Sequence, residues 1–237
     1  MGTDMIVDTS VAMDWHAAAR LIDHTLLKPA ATPAQVRKLC AEARAYGFFS
    51  VMINASNIAQ CVAEVSGTPV VVGTVIGFPL GATTSNAKLA EAEDSLKLGS
   101  TELDMVINIG ALKSGHADFV QDEIHALAEL CHRHGALLKV IIETVLLTTE
   151  EKLAACRCVV AAGADFIKTS TGFASAGATV EDVALMRGAV GDKIGVKAAG
   201  GIRTAVDLMK MVKAGANRVG ASASVAMVQE LGAPQLL

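Results

Sequence analysis

Gly163-Ala164-Asp165-Phe166-Ile167-Lys168-Thr169-Ser170-Thr171-Gly172-Phe173 holds one complete joint of the fold. A glycine ends a helical stretch, a short apolar run follows, and a turn rich in hydroxyls and glycine closes it. Read as a strand of period two, the run places Phe166, Lys168 and Ser170 on one face and Ile167 and Thr169 on the other. Phe166 and Ile167 are both apolar, so the strand is expected to be buried on both faces, as in a parallel sheet covered by helices. That puts a lysine amine in a mostly apolar setting just before a loop. Burial disfavours the ammonium form, so such an amine can be neutral and nucleophilic near neutral pH. The alternative is a lysine that ends a strand and reaches water.

Outward from this joint the same unit recurs. The predicted strands are Leu21–Leu27, Phe48–Asn54, Val70–Phe78, Glu102–Asn108, Leu137–Glu143, Asp165–Ser170, Ile194–Ala198 and Arg218–Ala221. Helices follow each of them. The first opens at Thr32-Pro33-Ala34-Gln35, a capping box with proline at the first helical position. The next cover Ile58–Val65, Ser85–Leu98 and Ala117–Arg133. The fifth opens at Thr148-Thr149-Glu150-Glu151 and stops at Gly163. The last three cover Val180–Val190, the stretch from Thr204 to Gly215, and Val225–Leu231. Gly47, Gly99, Gly163 and Gly215 stand where helices hand over to short apolar strands. Eight such units without long linkers predict an α/β chain closed into a single (β/α)8 TIM barrel. A doubly wound sheet would carry a glycine-rich phosphate loop after its first strand, and here that position reads Asp23-His24-Thr25. Residues 1–237 therefore read as one domain, with 21–232 as the barrel and 1–20 as an N-terminal extension holding a short helix within Val11–Arg20.

Composition narrows the functional classes. Of 237 residues, 52% are hydrophobic and only 3% aromatic, so the core must come from Val, Ile, Leu, Ala and Met. Mean hydropathy is +0.45, yet Lys139 and Glu143 interrupt the longest apolar stretch and Pro79 closes another, well short of the ~18 residues a spanning helix needs. The first residues lack a basic segment, so a secretory signal is not expected. A net charge of −4 argues against broad binding to nucleic acid or anionic lipid. The five cysteines are scattered and odd in number, which suggests a reducing, cytoplasmic setting with neither a disulfide framework nor a zinc site.

In a (β/α)8 barrel the chemistry lies where the strands end. Those ends carry Asp23 and Thr25, Asn54, Gly77, Asp104 and Asn108, Lys139 and Glu143, Lys168 with Thr171-Gly172, Lys197 with Gly200-Gly201, and Gly220 with Ser222. Charges inside apolar strands are costly unless paired or functional. Asp104, Lys139, Lys168 and Lys197 are four such residues on four strands. Lys168 and Lys197 are on adjacent strands, where repulsion and burial lower the pKa of one of them, towards ~7–8. A neutral lysine attacks a carbonyl to give an imine, whose protonated form is an electron sink for carbon–carbon cleavage. Asp104 can move the proton through a water; alternatively it is one half of a buried ion pair. Gly200-Gly201 is expected to open the seventh helix and Gly220-Ala221-Ser222 the eighth, where this fold recurrently binds phosphate.

Taken together, Ile22-Asp23-His24-Thr25-Leu26-Leu27-Lys28, Val75-Ile76-Gly77-Phe78-Pro79-Leu80-Gly81, Glu102-Leu103-Asp104-Met105-Val106-Ile107-Asn108, Lys139-Val140-Ile141-Ile142-Glu143-Thr144, the Lys168 segment and Gly195-Val196-Lys197 resemble the deoxyribose-phosphate aldolase family. The pieces run in family order from about residue 20 to 228. The resemblance implies a class I aldolase without metal or other cofactor, cleaving 2-deoxy-D-ribose 5-phosphate reversibly to D-glyceraldehyde 3-phosphate and acetaldehyde. By position it implies Lys168 as the Schiff-base lysine, Lys197 as the lysine that perturbs it and Asp104 as the proton relay. Asp23, Thr25, Lys139 and Thr171 then contact the substrate, and Gly172, Gly200, Gly201, Gly220 and Ser222 bind phosphate. The expected partners are a phosphorylated deoxysugar and acetaldehyde, with a homodimer or homotetramer as the assembly and neither nucleic acid nor membrane.

The sequence departs from the family pattern in three places. Met52-Ile53-Asn54-Ala55 replaces a stretch that often reads Cys-Val-Asn-Pro, which predicts greater tolerance of reactive aldehydes. Ala199 and Ala223 stand where serine is common. The tail Gly232-Ala233-Pro234-Gln235-Leu236-Leu237 lacks the tyrosine that many members carry, and either a water in its place or a truncated tail is expected to explain the gap. Two other readings remain: a lysine aldolase or transaldolase acting on a larger keto-sugar phosphate, and a non-catalytic barrel that binds phospho-sugars.

Overall fold

The computed structural model describes residues 13–236. Eight strands, β1 (Ile22–Leu26), β2 (Ser50–Ile53), β3 (Val71–Ile76), β4 (Glu102–Val106), β5 (Leu137–Ile141), β6 (Phe166–Lys168), β7 (Gly195–Ala199) and β8 (Arg218–Ala221), close into a barrel in chain order. Every neighbouring pair is parallel, including β8 with β1. The helices are α1 (Trp15–Ala19), α2 (Pro33–Tyr46), α3 (Ile58–Val65), α4 (Ser85–Lys97), α5 (Ile109–Lys113), α6 (Ala117–Arg133), α7 (Thr149–Ala162), α8 (Val180–Val190), α9 (Ala205–Lys213) and α10 (Ser224–Glu230). Of the helix expected within Val11–Arg20, residues 11–12 lie outside the described residues and Trp15–Ala19 is helical.

The capping boxes form as expected. Thr32 accepts from the Gln35 amide while the Gln35 side chain accepts from the Thr32 amide, and Thr148 and Glu151 repeat the exchange on α7. Gly47 and Gly163 end α2 and α7 at φ 67° and 75°, a conformation that carries no steric cost without a Cβ.

The strands stop earlier than their apolar runs suggest. Gly77 turns the chain out of β3 at φ 62°. Asn108 accepts from the Ala111 amide and so caps α5, a helix the sequence reading did not anticipate. Glu143 adopts φ 52° and starts a turn of 3-10 helix over Thr144–Leu146. These ends are loop, and they surround the open mouth of the barrel.

The large apolar core lies between the outer strand faces and the helices. It includes Ile22, Val51, Ile53, Leu103, Met105, Leu138, Val140, Ile167, Val196 and Val219 from the strands, all fully buried. All five cysteines are buried in helices of this layer. Burying this shell on folding stabilises the barrel at roughly 25 cal/mol per Å² of apolar surface. It leaves the inner strand faces free for other side chains. Among the described residues no helix is long and apolar enough to cross a membrane.

At the closed end, Tyr46 donates to the Pro234 carbonyl, accepts from Gln229, and meets Trp15 edge-on at 6.3 Å. This fastens α1 and the C-terminal tail at the N-terminal ends of the strands, away from the mouth.

Candidate active site

The inner faces of the strands are not uniformly apolar. Asp23, Ser50, Glu102, Asp104, Lys139, Lys168, Lys197 and Arg218 all point inwards and are all buried. Alternation explains the arrangement: each is flanked by residues that pack against helices. The expected burial on both faces holds, and the inner face is buried while carrying charge. On the barrel side, β4 to β8 and β1 carry charge. One apolar group there, Leu27, Met52 and Val75 with the half-buried Phe78, gathers on the β1–β3 side near the mouth.

Asp104 is the hub. Its Oδ1 accepts from Lys139 Nζ at 2.8 Å, and its Oδ2 accepts from Lys168 Nζ at 2.8 Å and Lys197 Nζ at 2.7 Å. It is thus not half of one ion pair but shared by three lysines. Lys139 also meets Glu102 Oε2 at 2.6 Å. Lys197 also meets Asp23 Oδ2. Below these, Arg218 donates to Asp23 Oδ1 at 2.9 Å and to Glu102 Oε2 at 3.1 Å, and Ser50 donates to Asp23 Oδ1 at 2.7 Å. The guanidinium lies on the Phe49 ring, 3.5 Å from its centroid.

The electrostatics separate the lysines. Burial pushes Lys168 down and the Asp104 carboxylate pulls it back up, while Lys197 and Lys139 repel its proton; the amine ends lowered to about 8. For Lys139 burial also acts downwards, but Asp104, Glu102 and Asp23 overrule it and raise it above the usual lysine range. For Asp104 burial acts upwards, and Lys139, Lys168 and Lys197 together hold it well below the usual carboxylate range. The Lys168 side chain is 5% exposed, whereas those of Lys139, Lys197 and Asp104 are fully buried. One amine is thus prepared to lose its proton beside an ionised carboxylate, at a strand end that opens on the mouth.

A lysine of lowered pKa beside an ionised carboxylate is suited to adding to a carbonyl and passing on a proton. Residues 7–232 match the DeoC/LacD family of aldolases. The chain belongs to the DeoC/LacD aldolase family. It is 54% identical over 213 residues to the deoxyribose-phosphate aldolase of Thermoanaerobacter sp. (strain X514), covering 90% of this chain and 96% of that one. It is 56% identical over 210 residues to the deoxyribose-phosphate aldolase of Bacillus mycoides (strain KBAB4), covering 89% and 94%. Among solved structures, the tetrameric deoxyribose phosphate aldolase from Aeropyrum pernix superposes with a TM-score of 0.85 at 34% identity, covering 91% of each chain.

Within this aldolase the expected site residues divide by depth. Lys168, Lys197 and Asp104 come together as anticipated. Asp23 and Lys139, expected at the substrate, do not reach the mouth. Both are fully buried, and both are occupied by other members of the cluster. The period-two pattern gave them an inward direction but no depth. Gly220, expected at phosphate, is likewise an inward position of β8, where a Cβ would press on Lys197 Cε at 3.1 Å. Its lack of a side chain makes room for that lysine. Thr25 is half-buried, and its hydroxyl donates to the Asp23 carbonyl at 2.8 Å.

The remaining expected residues lie in the loops. Thr171 donates its hydroxyl to Glu143 and accepts from the Phe173 amide at 3.0 Å, which folds the turn after β6. Gly172 and Gly200 approach each other across the β6–α8 and β7–α9 loops. Gly201 and Ser222 are exposed. Gly200-Gly201 do not open a helix directly, because Thr204 caps α9 four and three residues later respectively. Ser222 similarly precedes α10, whose N-cap Ala223 offers no side-chain bond.

Several residues of the site escaped the sequence reading. Glu102 and Arg218 stand first in their strands, where a charge is usually solvated. Their period-two relation to Asp104 and Gly220 was the available signal. Gly177 was missed because it is a lone glycine in a loop: a Cβ there would overlap the Gly200 carbonyl. Glu91 stands on α4, and its carboxylate accepts from the Gly77 amide at 2.7 Å.

Proposed function

We propose that this aldolase cleaves 2-deoxy-D-ribose 5-phosphate reversibly to D-glyceraldehyde 3-phosphate and acetaldehyde, with Lys168 as the Schiff-base lysine. The observation that carries the reading is a lysine lowered to about 8 that shares one carboxylate oxygen with a second lysine. The names of the relatives support the substrate.

The neutral Lys168 amine adds to the aldehyde carbon of the open-chain sugar, and loss of water gives the protonated imine. A base removes the proton of the C3 hydroxyl, the C2–C3 bond breaks, and its electrons flow into the iminium to leave an enamine. Asp104, linked to Lys168 at 2.8 Å, is the group that receives and returns protons through a water. Protonation of the enamine at C2 and hydrolysis release acetaldehyde and restore the amine. Lys197 keeps Lys168 from holding its proton. Thr25 and Thr171 contact sugar hydroxyls at the mouth, and Gly172, Gly200, Gly201 and Ser222 offer backbone and hydroxyl donors to the phosphate. Residues 21–232 act as one barrel domain, in the cytoplasm, as a homodimer or homotetramer.

Borohydride reduction in the presence of acetaldehyde, followed by mass spectrometry of peptides, tests the assignment. A two-carbon adduct on Lys168, together with retro-aldol turnover of the deoxysugar phosphate, is expected. An adduct formed only with dihydroxyacetone phosphate would replace this substrate with a keto-sugar phosphate. Absence of turnover would reduce the barrel to a binding protein.

A further inference from the structure

Three cations stand side by side on the last three strands: Lys168 is in register with Lys197, and Lys197 with Arg218. Facing them are Asp23 from β1, Glu102 and Asp104 from β4, and Lys139 from β5. The inner residues Ser50, Met52, Gly73 and Val75 on β2 and β3 are neutral. Glu143, beyond β5, is engaged with Thr171 in the loop. At formal charge the ion-paired cluster holds four cations against three carboxylates.

Arg218 accounts for the imbalance. It lies at the closed end, over the Phe49 ring and 5.3 Å from that of Phe166, and it donates to one oxygen of Asp23 and to both of Glu102 from below. Asp23 and Glu102 then offset Lys197 and Lys139 only in part. Asp104 is left as the single carboxylate shared by three lysines. The excess proton is most easily lost from the cation nearest solvent at the mouth, which is Lys168.

Building on the reading of Lys168 as the nucleophile, we infer that Arg218 is a positioning residue that acts from two strands away, keeping Lys168 the surplus cation of the cluster and setting the pH at which it becomes reactive. Glu102 acts in the opposite sense. Two strand spacings are about 10 Å. At an effective dielectric of about 20, one charge removed at that distance moves a pKa by about one unit.

The test measures the rate of cyanoborohydride trapping of acetaldehyde on Lys168, by mass spectrometry, from pH 6 to 10. In Arg218→Met, which keeps an apolar stem between Phe49 and Phe166, the acid limb is expected to rise by about one pH unit. In Glu102→Gln it is expected to fall by a similar amount. Arg218→Lys, which keeps the charge, is expected to restore the wild-type limb. Unmoved limbs, or limbs that move in the same direction in the first two variants, would overturn the inference. If Arg218→Met does not fold, the downward shift in Glu102→Gln decides alone, and an unmoved limb there is refutation. Wild-type protein trapped at a residue other than Lys168 would instead overturn the underlying assignment, a result visible in the peptide map before any profile is compared.

Discussion

On the reading of Lys168 as the nucleophile, removal of the Lys197 charge is the sharpest test of what would make it reactive. Both amines donate to the same Asp104 oxygen, at 2.8 and 2.7 Å, so the two nitrogens are at most about 5.5 Å apart. At that separation and an effective dielectric of about 20, two like charges repel by about 3 kcal/mol, which is about two pKa units. In Lys197→Met the Lys168 amine should therefore climb from about 8 to about 10. At pH 7.5 its neutral fraction would drop from roughly a quarter to roughly 0.3%, and imine formation should slow on the order of 100-fold. The sign follows from the nucleophile being the deprotonated form: rate rises with pH through the lysine pKa, so raising that pKa moves the acid limb upwards. Arg218 and Ser50 still hold Asp23, and Lys139 and Lys168 still hold Asp104, so the fold should persist. Turnover and trapping rates from pH 6 to 10, with thermal unfolding as a control, measure the effect. The expected result is a limb displaced by about two units, with about half of the activity recovered at pH 10. A loss equal at every pH, with the limb unmoved, would refute the electrostatic argument and leave Lys197 acting by some other contact.

Three further outcomes follow from other parts of the structure. Gly177→Ala places a methyl against the Gly200 carbonyl and should part the two loops, raising KM for the phosphorylated sugar roughly tenfold or more while kcat changes less; steady-state kinetics with phosphorylated and unphosphorylated deoxyribose separate the two effects, and this magnitude corresponds to about 1.4 kcal/mol. Lys88 and Glu123 form a fully buried pair at 2.8 Å, with Lys88 also donating to the Val106 carbonyl, so Lys88→Met should cost about 3–5 kcal/mol in denaturant unfolding and a paired Lys88→Met, Glu123→Leu variant much less. Met52 is buried beside Leu27 and Val75 near the mouth; wild-type enzyme should hold its activity in concentrated acetaldehyde longer than Met52→Cys, whose thiol can add to reactive aldehydes, and equal inactivation rates would remove Met52 as the reason.

The strand ends that matter most were the least regular in sequence. Asn108 and Glu143 extended the apolar runs of β4 and β5 on paper, yet one caps α5 and the other turns into left-handed backbone. Side chains at such ends serve loops, so hydrophobic periodicity overshoots there.

From the chain alone one could read eight strand–helix units, because glycine stops, capping boxes and apolar runs are local signals that each unit repeats. Lys168, Lys197 and Asp104 were also visible, since a charge within an apolar run is locally anomalous. Depth was not. Asp23 and Lys139 share the inward face with Lys168, but closure of the barrel turns them beneath it and gives them to other charges. Nor did sequence show that Arg218 would meet Asp23 across 195 positions, or Lys197 meet Asp104 across 93. Alternation along a strand reports which face a side chain takes; only the register between strands reports its level in the barrel, and pairing of buried charges depends on both.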